Sequence, residues 1–194
     1  IPEVARRLVA RGFGQSLITV LENMGGAREG QAAFTVNALP VRPFSDLNTL
    51  AIHCIAGPGA HVFSRLAGLP DEAFIHDGQM TKREVRAATL ASLSPAPDQL
   101  LWDVGAGCGS IAIEWMRSSR GCEAIAFEAN DGRSRMIAEN ADRLGTPRLR
   151  IVTGEAPATL ARHANPDAVF IGGGLGDPGL FEAAWEALKP GGIM

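Results

Sequence analysis

The sequence lacks any cluster of lysines or arginines. Its formal net charge is −3 over 194 residues, with 18 basic and 21 acidic side chains. A protein that binds nucleic acid over a large area needs a basic patch to neutralise phosphates, and none is present here. We therefore expect no nucleic acid among the partners of this chain.

Long apolar runs, a signal-peptide pattern and paired cysteines are missing as well. No apolar stretch approaches the length of about 20 residues that a membrane span requires, so we expect no membrane partner. The three cysteines, Cys54, Cys108 and Cys122, are scattered and form no Cys-x-x-Cys pair. Scattered cysteines are typical of reduced thiols, and neither they nor the histidines form a metal-binding cluster. We predict a cytoplasmic protein without a metal site.

From residue 81 onward, apolar strand-like runs alternate with helical patterns. We predict strands over 100–104, 124–128, 149–153 and 168–171, and helices over 81–93, 111–117, 133–144, 157–163 and 178–188. This alternation predicts an α/β fold with a parallel, doubly wound sheet. The turns at 105–109, 128–130, 154–156 and 172–174 should then meet at the carboxyl edge of that sheet.

The start of the chain has a different pattern. We predict a helix over 2–11 and strands over 17–21, 33–36 and 48–55. Gly57-Pro58-Gly59 interrupts this pattern and predicts a linker over 57–70. The predicted organisation is therefore an N-terminal piece, 1–56, a linker, and a second domain, 71–194.

A glycine-rich turn separates the first strand of the second domain from a helix. It consists of Gly105, Ala106, Gly107, Cys108 and Gly109. Glycines let backbone N–H groups approach a ligand, and a helix N-terminus attracts a carboxylate or phosphate. The next apolar run ends in Glu128, whose carboxylate can accept hydrogen bonds from both hydroxyls of a ribose. The pattern predicts a nucleotide-like cofactor.

The spacing of the glycines narrows the cofactor class. It is Gly-x-Gly-x-Gly, whereas dinucleotide-binding turns have a third glycine one position later. Asp103, just before the turn, could hold an ammonium group. A cofactor with an amino-acid end, a ribose and a base fits better than one with a pyrophosphate, and S-adenosylmethionine (SAM) has those parts. NAD or FAD, and a glycine turn without a ligand, remain alternatives.

Three further segments carry a family resemblance. Residues 71–87, 154–160 and 167–174, together with the glycine turn, closely resemble the decarboxylating precorrin methyltransferases of cobalamin biosynthesis. Residues 2–8, 19–26 and 45–52 resemble the end of a tetrapyrrole methylase domain. The chain is thus similar to the middle of the fused form of the family, the precorrin-6Y C(5,15)-methyltransferases. Its end at Met194 leads us to expect an excerpt without the last strands of a Rossmann-like class I methyltransferase sheet.

The resemblance implies an activity and a set of partners. The fused enzymes methylate carbons 5 and 15 of a precorrin with SAM and remove carbon dioxide from the ring C acetate. Methylation at carbon 15 and the decarboxylation are associated with the C-terminal half. The implied partners are the precorrin substrate and a second copy of the chain in a homo-oligomer. No catalytic side chain is assigned, because the electron-rich ring carbon can attack the sulfonium methyl directly.

The resemblance also implies candidate site residues, which are carried over by motif. The predicted cofactor contacts are Thr81, Asp103, Gly105, Ala106, Gly107, Cys108, Gly109, Glu128, Gly154, Glu155 and Ala156. On the substrate side, the predicted residues are His76, Asp77, Lys82, Arg86, Gly172, Gly173 and Gly174. The basic residues could pair with precorrin carboxylates, and His76 could move a proton near neutral pH. Thr81 could equally cap a helix through the pattern Thr81-x-x-Glu84.

Two other functions remain open. A SAM enzyme that acts on RNA or protein would need a basic rim or an Asn-Pro-Pro-Tyr-like turn after the fourth strand, where this sequence has three glycines. The other alternative is a non-catalytic fragment, because part of the expected sheet lies beyond Met194.

Overall fold

The computed structural model describes residues 1–194, which divide into two compact units, Ile1–Phe63 and Ser64–Met194. The first unit contains helix α1 (Pro2–Ala10) and strands β1 (Leu17–Glu22), β2 (Gly30–Thr35) and β3 (Asn48–His53). The strands form an antiparallel sheet in the order β2-β1-β3. Its small core consists of Ala5, Ile18, Val20 and Val36. The predicted helix and three strands are confirmed, although β2 begins earlier than expected.

The second unit is an α/β domain with a four-stranded parallel sheet. Its elements are α2 (Arg83–Leu93), β4 (Leu100–Val104), α3 (Ser110–Ser118), β5 (Glu123–Glu128), α4 (Asp131–Arg143), β6 (Arg150–Thr153), β7 (Ala168–Ile171) and α5 (Leu180–Ala187). Every residue of β4 is buried, as expected for a central parallel strand covered on both faces. The predicted doubly wound α/β class is confirmed.

The strand order is β6-β5-β4-β7. The chain thus moves from β4 outward to β6 and then returns to the other side of β4. Such a reversal opens a crevice beyond the carboxyl ends of the strands, where ligands bind in open α/β sheets. Val104 pairs with Phe127 on one side and with Ile171 on the other, so the three strands end at the same level.

Two local predictions are wrong. Residues 157–163 form turns and no helix; Arg162 there adopts a φ of 72°, outside the right-handed helical region. The helix predicted from Thr81 begins at Arg83, and its N-cap is Lys82 without a side-chain cap bond. Thr81 therefore does not form the expected capping box. None of the helices combines the length and the apolarity that crossing a bilayer requires.

Candidate cofactor and substrate site

A cavity of about 920 Å³ lies at the carboxyl edge of the parallel sheet. Its volume is in the range of small-molecule sites, about 300–1,000 Å³. The turns after all four strands line it, through Gly105, Ala106, Gly107, Glu128, Ala129, Gly154, Glu155, Ala156, Gly172, Gly173 and Gly174. The predicted meeting of these turns at one edge is confirmed.

The backbone of the glycine turn packs closely against the backbone of two other segments, at Gly173 and at Gln79. Gly105 has a φ of +70°, and a Cβ placed on it would lie 2.8 Å from the amide nitrogen of Gly173. Gly107 has a φ of +60°, and a Cβ there would lie 3.3 Å from the carbonyl oxygen of Gln79. A side chain is therefore excluded at Gly105 and strained at Gly107, and the cavity wall at this point presents main-chain groups.

Glu128 is buried at the end of β5, with only 5% of its surface exposed. Its Oε2 accepts a hydrogen bond from the amide of Gly107 at 2.7 Å, and its Oε1 accepts one from the amide of Asn130 at 3.0 Å. These bonds fix the carboxylate in the cavity wall. Each oxygen retains capacity for a further donor, so the group fits the ribose hydroxyls of a nucleoside.

Asp103, at the fourth position of β4, is 1% exposed and also lines the cavity. Its Oδ2 accepts from the amide of Ala112 at 3.0 Å, whereas its Oδ1 is buried without a hydrogen-bond partner. Burial raises the pKa of Asp103 to about 7; the Ala112 amide opposes this shift and the charge of Glu128 adds to it. An unpaired carboxylate oxygen in a cavity wall fits a cationic group such as the ammonium of an amino-acid cofactor.

Thr81 lines the cavity together with Gln79 and Met80. The carbonyl of Thr81 accepts a hydrogen bond of 2.6 Å from the guanidinium of Arg86. The last two residues of the glycine turn, also predicted to contact the cofactor, do not line the cavity. Cys108 is buried and its carbonyl accepts from Asn140, and Gly109 precedes α3, where a Cβ would touch Ile137.

The substrate role of Arg86 stays a prediction, and the structure places this residue outside the cavity lining. Its side chain is 0% exposed. It donates to Glu114 Oε1 at 2.6 Å, to Asp71 Oδ1 at 3.2 Å, and to the carbonyls of Leu69 and Thr81. Each of its three nitrogens already donates to an acceptor within the domain, and the side chain does not line the cavity. Arg86 holds the chain before α2 against the domain core.

Three further substrate-side candidates, His76, Asp77 and Lys82, lie outside the cavity lining. His76 Nδ1 accepts from the amide of Gly78 at 3.0 Å. Lys82 is exposed and lies 3.8 Å from an Asp71 carboxylate oxygen. In contrast, Gly172, Gly173 and Gly174 line the cavity beside the glycine turn.

The sequence analysis did not identify two charged residues of the cavity lining, Arg133 and Asp177. Arg133 is the one basic side chain of the lining, and its Nε donates to Asp77 Oδ2 at 2.8 Å. The sequence does contain a signal for Arg133: it lies in the first turn of the helix that follows Glu128, and that turn faces the strand ends. No group of three or more His, Cys, Asp or Glu side chains is arranged to hold a metal ion.

The family model of the precorrin methyltransferase domain matches residues 72–194. The chain belongs to the precorrin methyltransferase family. The match includes every strand and turn that forms the cavity. It confirms the predicted family, and membership in this methyltransferase family implies the use of SAM.

Individual precorrin methyltransferases agree with this assignment. The chain is 48% identical over 192 residues to a precorrin-6Y C(5,15)-methyltransferase [decarboxylating] of Sinorhizobium sp, which covers 99% of this chain and 46% of the relative. It is 38% identical over 129 residues to the cobalt-precorrin-6B C(15)-methyltransferase (decarboxylating) of Salmonella typhimurium, covering 65% of this chain and 66% of the relative. The chain thus spans about half the length of the longer curated relatives.

A solved structure shows the same fold. It is the C-terminal domain of precorrin-6Y C5,15-methyltransferase from Rhodobacter capsulatus, with 47% sequence identity and a TM-score of 0.62. The superposition covers 68% of this chain and 71% of that domain. The Rossmann-like methyltransferase fold predicted for the second unit is therefore confirmed.

Proposed function

We propose that this chain carries a SAM-dependent methyltransferase site that methylates carbon 15 of a precorrin and removes carbon dioxide from the ring C acetate. The longer, fused relatives are named for methylation at carbon 5 as well as carbon 15. We propose methylation at carbon 5 only for a full-length protein that contains this chain. One structural observation carries the proposal. A cavity at the strand-order reversal combines a glycine turn, an acid fixed at the second strand end and an unpaired buried carboxylate oxygen.

We assign the ribose, the ammonium and the base of SAM to groups that line the cavity. The ribose hydroxyls would bind Glu128, and the ammonium would pair with Asp103 Oδ1. The glycine turn admits the ligand because Gly105 and Gly107 have no side chains. Gly154, Glu155 and Ala156 form the turn after β6 and would lie beside the base. The finer assignment of these residues to parts of SAM is part of the proposal.

When bound, SAM would supply an electrophilic methyl group. In this proposal the chain binds and orients the reactants: the strand-end turns hold the cofactor, and Gly173 after β7 leaves room for a flat macrocycle. Nothing lies within 4 Å of a Cβ built on Gly173, so the space beside it is open. Fixing two reactants in an attack geometry can by itself supply about 7–11 kcal/mol of a barrier. The mechanism therefore requires no covalent nucleophile from the chain.

In the decarboxylation, the carbon–carbon bond to the acetate carboxylate breaks and carbon dioxide leaves. The electron pair passes into the protonated conjugated ring, and uptake of a proton at the former acetate carbon leaves a methyl group. The cytoplasmic location predicted from the cysteines and the homo-oligomer expected from the family resemblance stay predictions.

Calorimetry with SAM tests the cofactor part of the proposal. Wild type should bind SAM, and Glu128→Ala should weaken binding about 10- to 100-fold, because a hydrogen bond to a charged group contributes about 1.5–3 kcal/mol. Glu123→Ala is the matched control, since Glu123 is an exposed acid at the other end of the same strand. A wild-type chain without measurable SAM binding would contradict the proposal.

Mass spectrometry tests the reaction. With SAM and cobalt-precorrin-6B, the product should gain one methyl group and lose carbon dioxide. The Glu128→Ala variant should give little product at the same SAM concentration. A wild-type chain that binds SAM but leaves the tetrapyrrole unchanged would contradict the substrate assignment and leave the cofactor assignment in place.

A further inference from the structure

One wall of the cavity is a short segment without regular structure, residues 76–80, which we call the strap. Gln79 and Met80 of the strap line the cavity. The carbonyl oxygen of Gln79 lies 3.3 Å from the position of a Cβ built on Gly107. The strap therefore passes directly over the glycine turn.

Buried polar groups hold the chain at both ends of the strap. Before it, the amide and the carbonyl of Ile75 both bond to the side chain of Asn140, each at 2.8 Å. After it, the carbonyl of Thr81 accepts from Arg86 at 2.6 Å. Asn140 and Arg86 are fully buried. Any opening of this wall is therefore confined to the strap itself.

A single hydrogen bond connects the middle of the strap to the rest of the domain. Asp77 Oδ2 accepts from Arg133 Nε at 2.8 Å, while the side chains of Asp77 and Arg133 are 35% and 28% exposed. The other strap bonds are local, from Gly78 to His76 and from Gln79 to Asp77. The bond to Arg133 holds the pKa of Asp77 below its ordinary value, so the pair is charged at neutral pH.

Arg133 is well placed to fix the strap. Its amide donates to Asn130 Oδ1 at 3.1 Å, which anchors the first turn of α4 directly after the strand end that carries Glu128. Its side chain lines the cavity. The ion pair thus joins the strap to the part of the cavity where the proposed function places the ribose.

We propose that Asp77 and Arg133 are a positioning pair that holds the strap closed over bound SAM and thereby sets how long the cofactor stays in the site. The pair need not touch the reacting atoms. It acts through Gln79 and Met80, which it keeps against the glycine turn. This inference rests on the proposed function, because it takes SAM as the ligand.

A double-mutant cycle tests the proposal, with Asp77→Asn, Arg133→Gln and the double variant in the full chain. Asp77→Asn removes the charge and keeps an oxygen acceptor for the Gln79 amide. Each single variant should raise the Kd of SAM about two- to fivefold, the range for a partly exposed ion pair. The rise should be in the dissociation rate measured by stopped flow. The double variant should bind like either single variant, because both remove the same bond.

Kinetics and salt separate this role from a general structural one. With cobalt-precorrin-6B, the KM for SAM should rise while kcat at saturating SAM stays within about twofold of wild type. High salt should weaken SAM binding to wild type and change the variants less, since it screens an exposed pair. Arg135→Gln is the matched control, because Arg135 lies exposed on the same helix and outside the cavity lining.

Three results would contradict the proposal that Asp77 and Arg133 are a positioning pair. Single variants could bind SAM as tightly as wild type, the double variant could show the product of the two single effects, or Arg135→Gln could have the same effect. Absence of SAM binding in wild type would instead contradict the proposed function, so the two failures are distinguishable.

Discussion

Asp103 and Glu128 are buried acids at the ends of neighbouring strands, and they differ in the number of their hydrogen-bond partners. Each oxygen of Glu128 accepts a backbone amide, whereas one oxygen of Asp103 accepts none. A buried charge without a partner lowers the stability of the folded chain, and a cationic ligand at that oxygen would offset the cost. At the scale of single residues, Asp103 is therefore the position at which stability and ligand binding conflict most directly.

The titration of Asp103 should be visible in the stability of the protein. Its pKa in the folded chain is raised from 3.8 to about 7. The folded state therefore binds this proton more tightly than the unfolded state, and the contribution to stability is complete below pH 3.8 and lost as the pH rises to about 7. Relative to Asp103→Asn, the free energy of unfolding of wild type should fall across that window, by about 1.4 kcal/mol per unit of pKa shift.

Urea unfolding at a series of pH values checks this expectation. The Asn variant supplies the control, because it keeps a side chain of the same size and has no proton to titrate. Parallel pH profiles for the two proteins would contradict a raised pKa at Asp103. Calorimetry at the upper end of the range should show in addition that the variant binds SAM more weakly.

A pair of glycine substitutions separates backbone packing from free space in the cavity. Gly105→Ala places a methyl group 2.8 Å from the Gly173 amide nitrogen at a φ of +70°. It should destabilise the protein by about 1–3 kcal/mol. Gly173→Ala meets no atom within 4 Å, so its stability should stay within about 0.5 kcal/mol of wild type. Because its methyl group enters the open cavity, the KM for the tetrapyrrole should rise.

Urea unfolding measures the stability of the two variants, and steady-state kinetics measures their KM for the tetrapyrrole. Equal stabilities for Gly105→Ala and wild type would show that the turn can move away from Gly173. An unchanged tetrapyrrole KM in Gly173→Ala would place the macrocycle elsewhere.

At the scale of elements, the strands and their turns could be predicted because their signals are local. β4 and β5 are mostly apolar runs, and parallel pairing brings their ends to one level. That is why the glycine turn and Glu128 could be placed together from the sequence. The failure at residues 157–163 has a local cause as well, since a segment of that length is too short to hold a helix without strong tertiary support.

The charged contacts could not be predicted, because they join residues far apart in the chain. The sequence pattern around Arg86 indicates only that it lies in a helix. The fold brings it next to Glu114, 28 positions away. Asp77 and Arg133 are 56 positions apart. No periodic pattern links such residues, and their partners depend on how α2, α3 and α4 pack against the sheet.

The Arg86–Glu114 pair joins α2 to α3 and should be critical for stability. Arg86→Met should destabilise the protein by about 3–5 kcal/mol, because it leaves the Glu114 charge buried and unpaired. Arg83→Met on the same helix should cost less than about 1 kcal/mol, since Arg83 makes an exposed bond to the Gly68 carbonyl. Urea unfolding measures both. An Arg86 variant of wild-type stability with a raised tetrapyrrole KM would instead favour a substrate role.

At the scale of the whole molecule, the candidate site belongs to one unit. Every cavity-lining residue lies in Ser64–Met194, and so do all three tryptophans, Trp102, Trp115 and Trp185. Trp102 and Trp115 are buried in that unit. Tryptophan fluorescence therefore reports unfolding of the unit that would bind the cofactor and is silent for Ile1–Phe63.

SAM should therefore stabilise the protein in the transition detected by tryptophan fluorescence. A ligand that binds only the folded state adds about 2.7 kcal/mol at a concentration 100 times its Kd. The urea midpoint of the fluorescence transition should rise with SAM in wild type by the amount that the calorimetric Kd predicts. In Glu128→Ala the shift should shrink in proportion to the weaker binding, which makes this variant the control for unspecific effects of the ligand. An equal shift in both proteins would show that SAM binds this unit without Glu128, and no shift in wild type despite calorimetric binding would place SAM outside the unit Ser64–Met194 or on its unfolded chain.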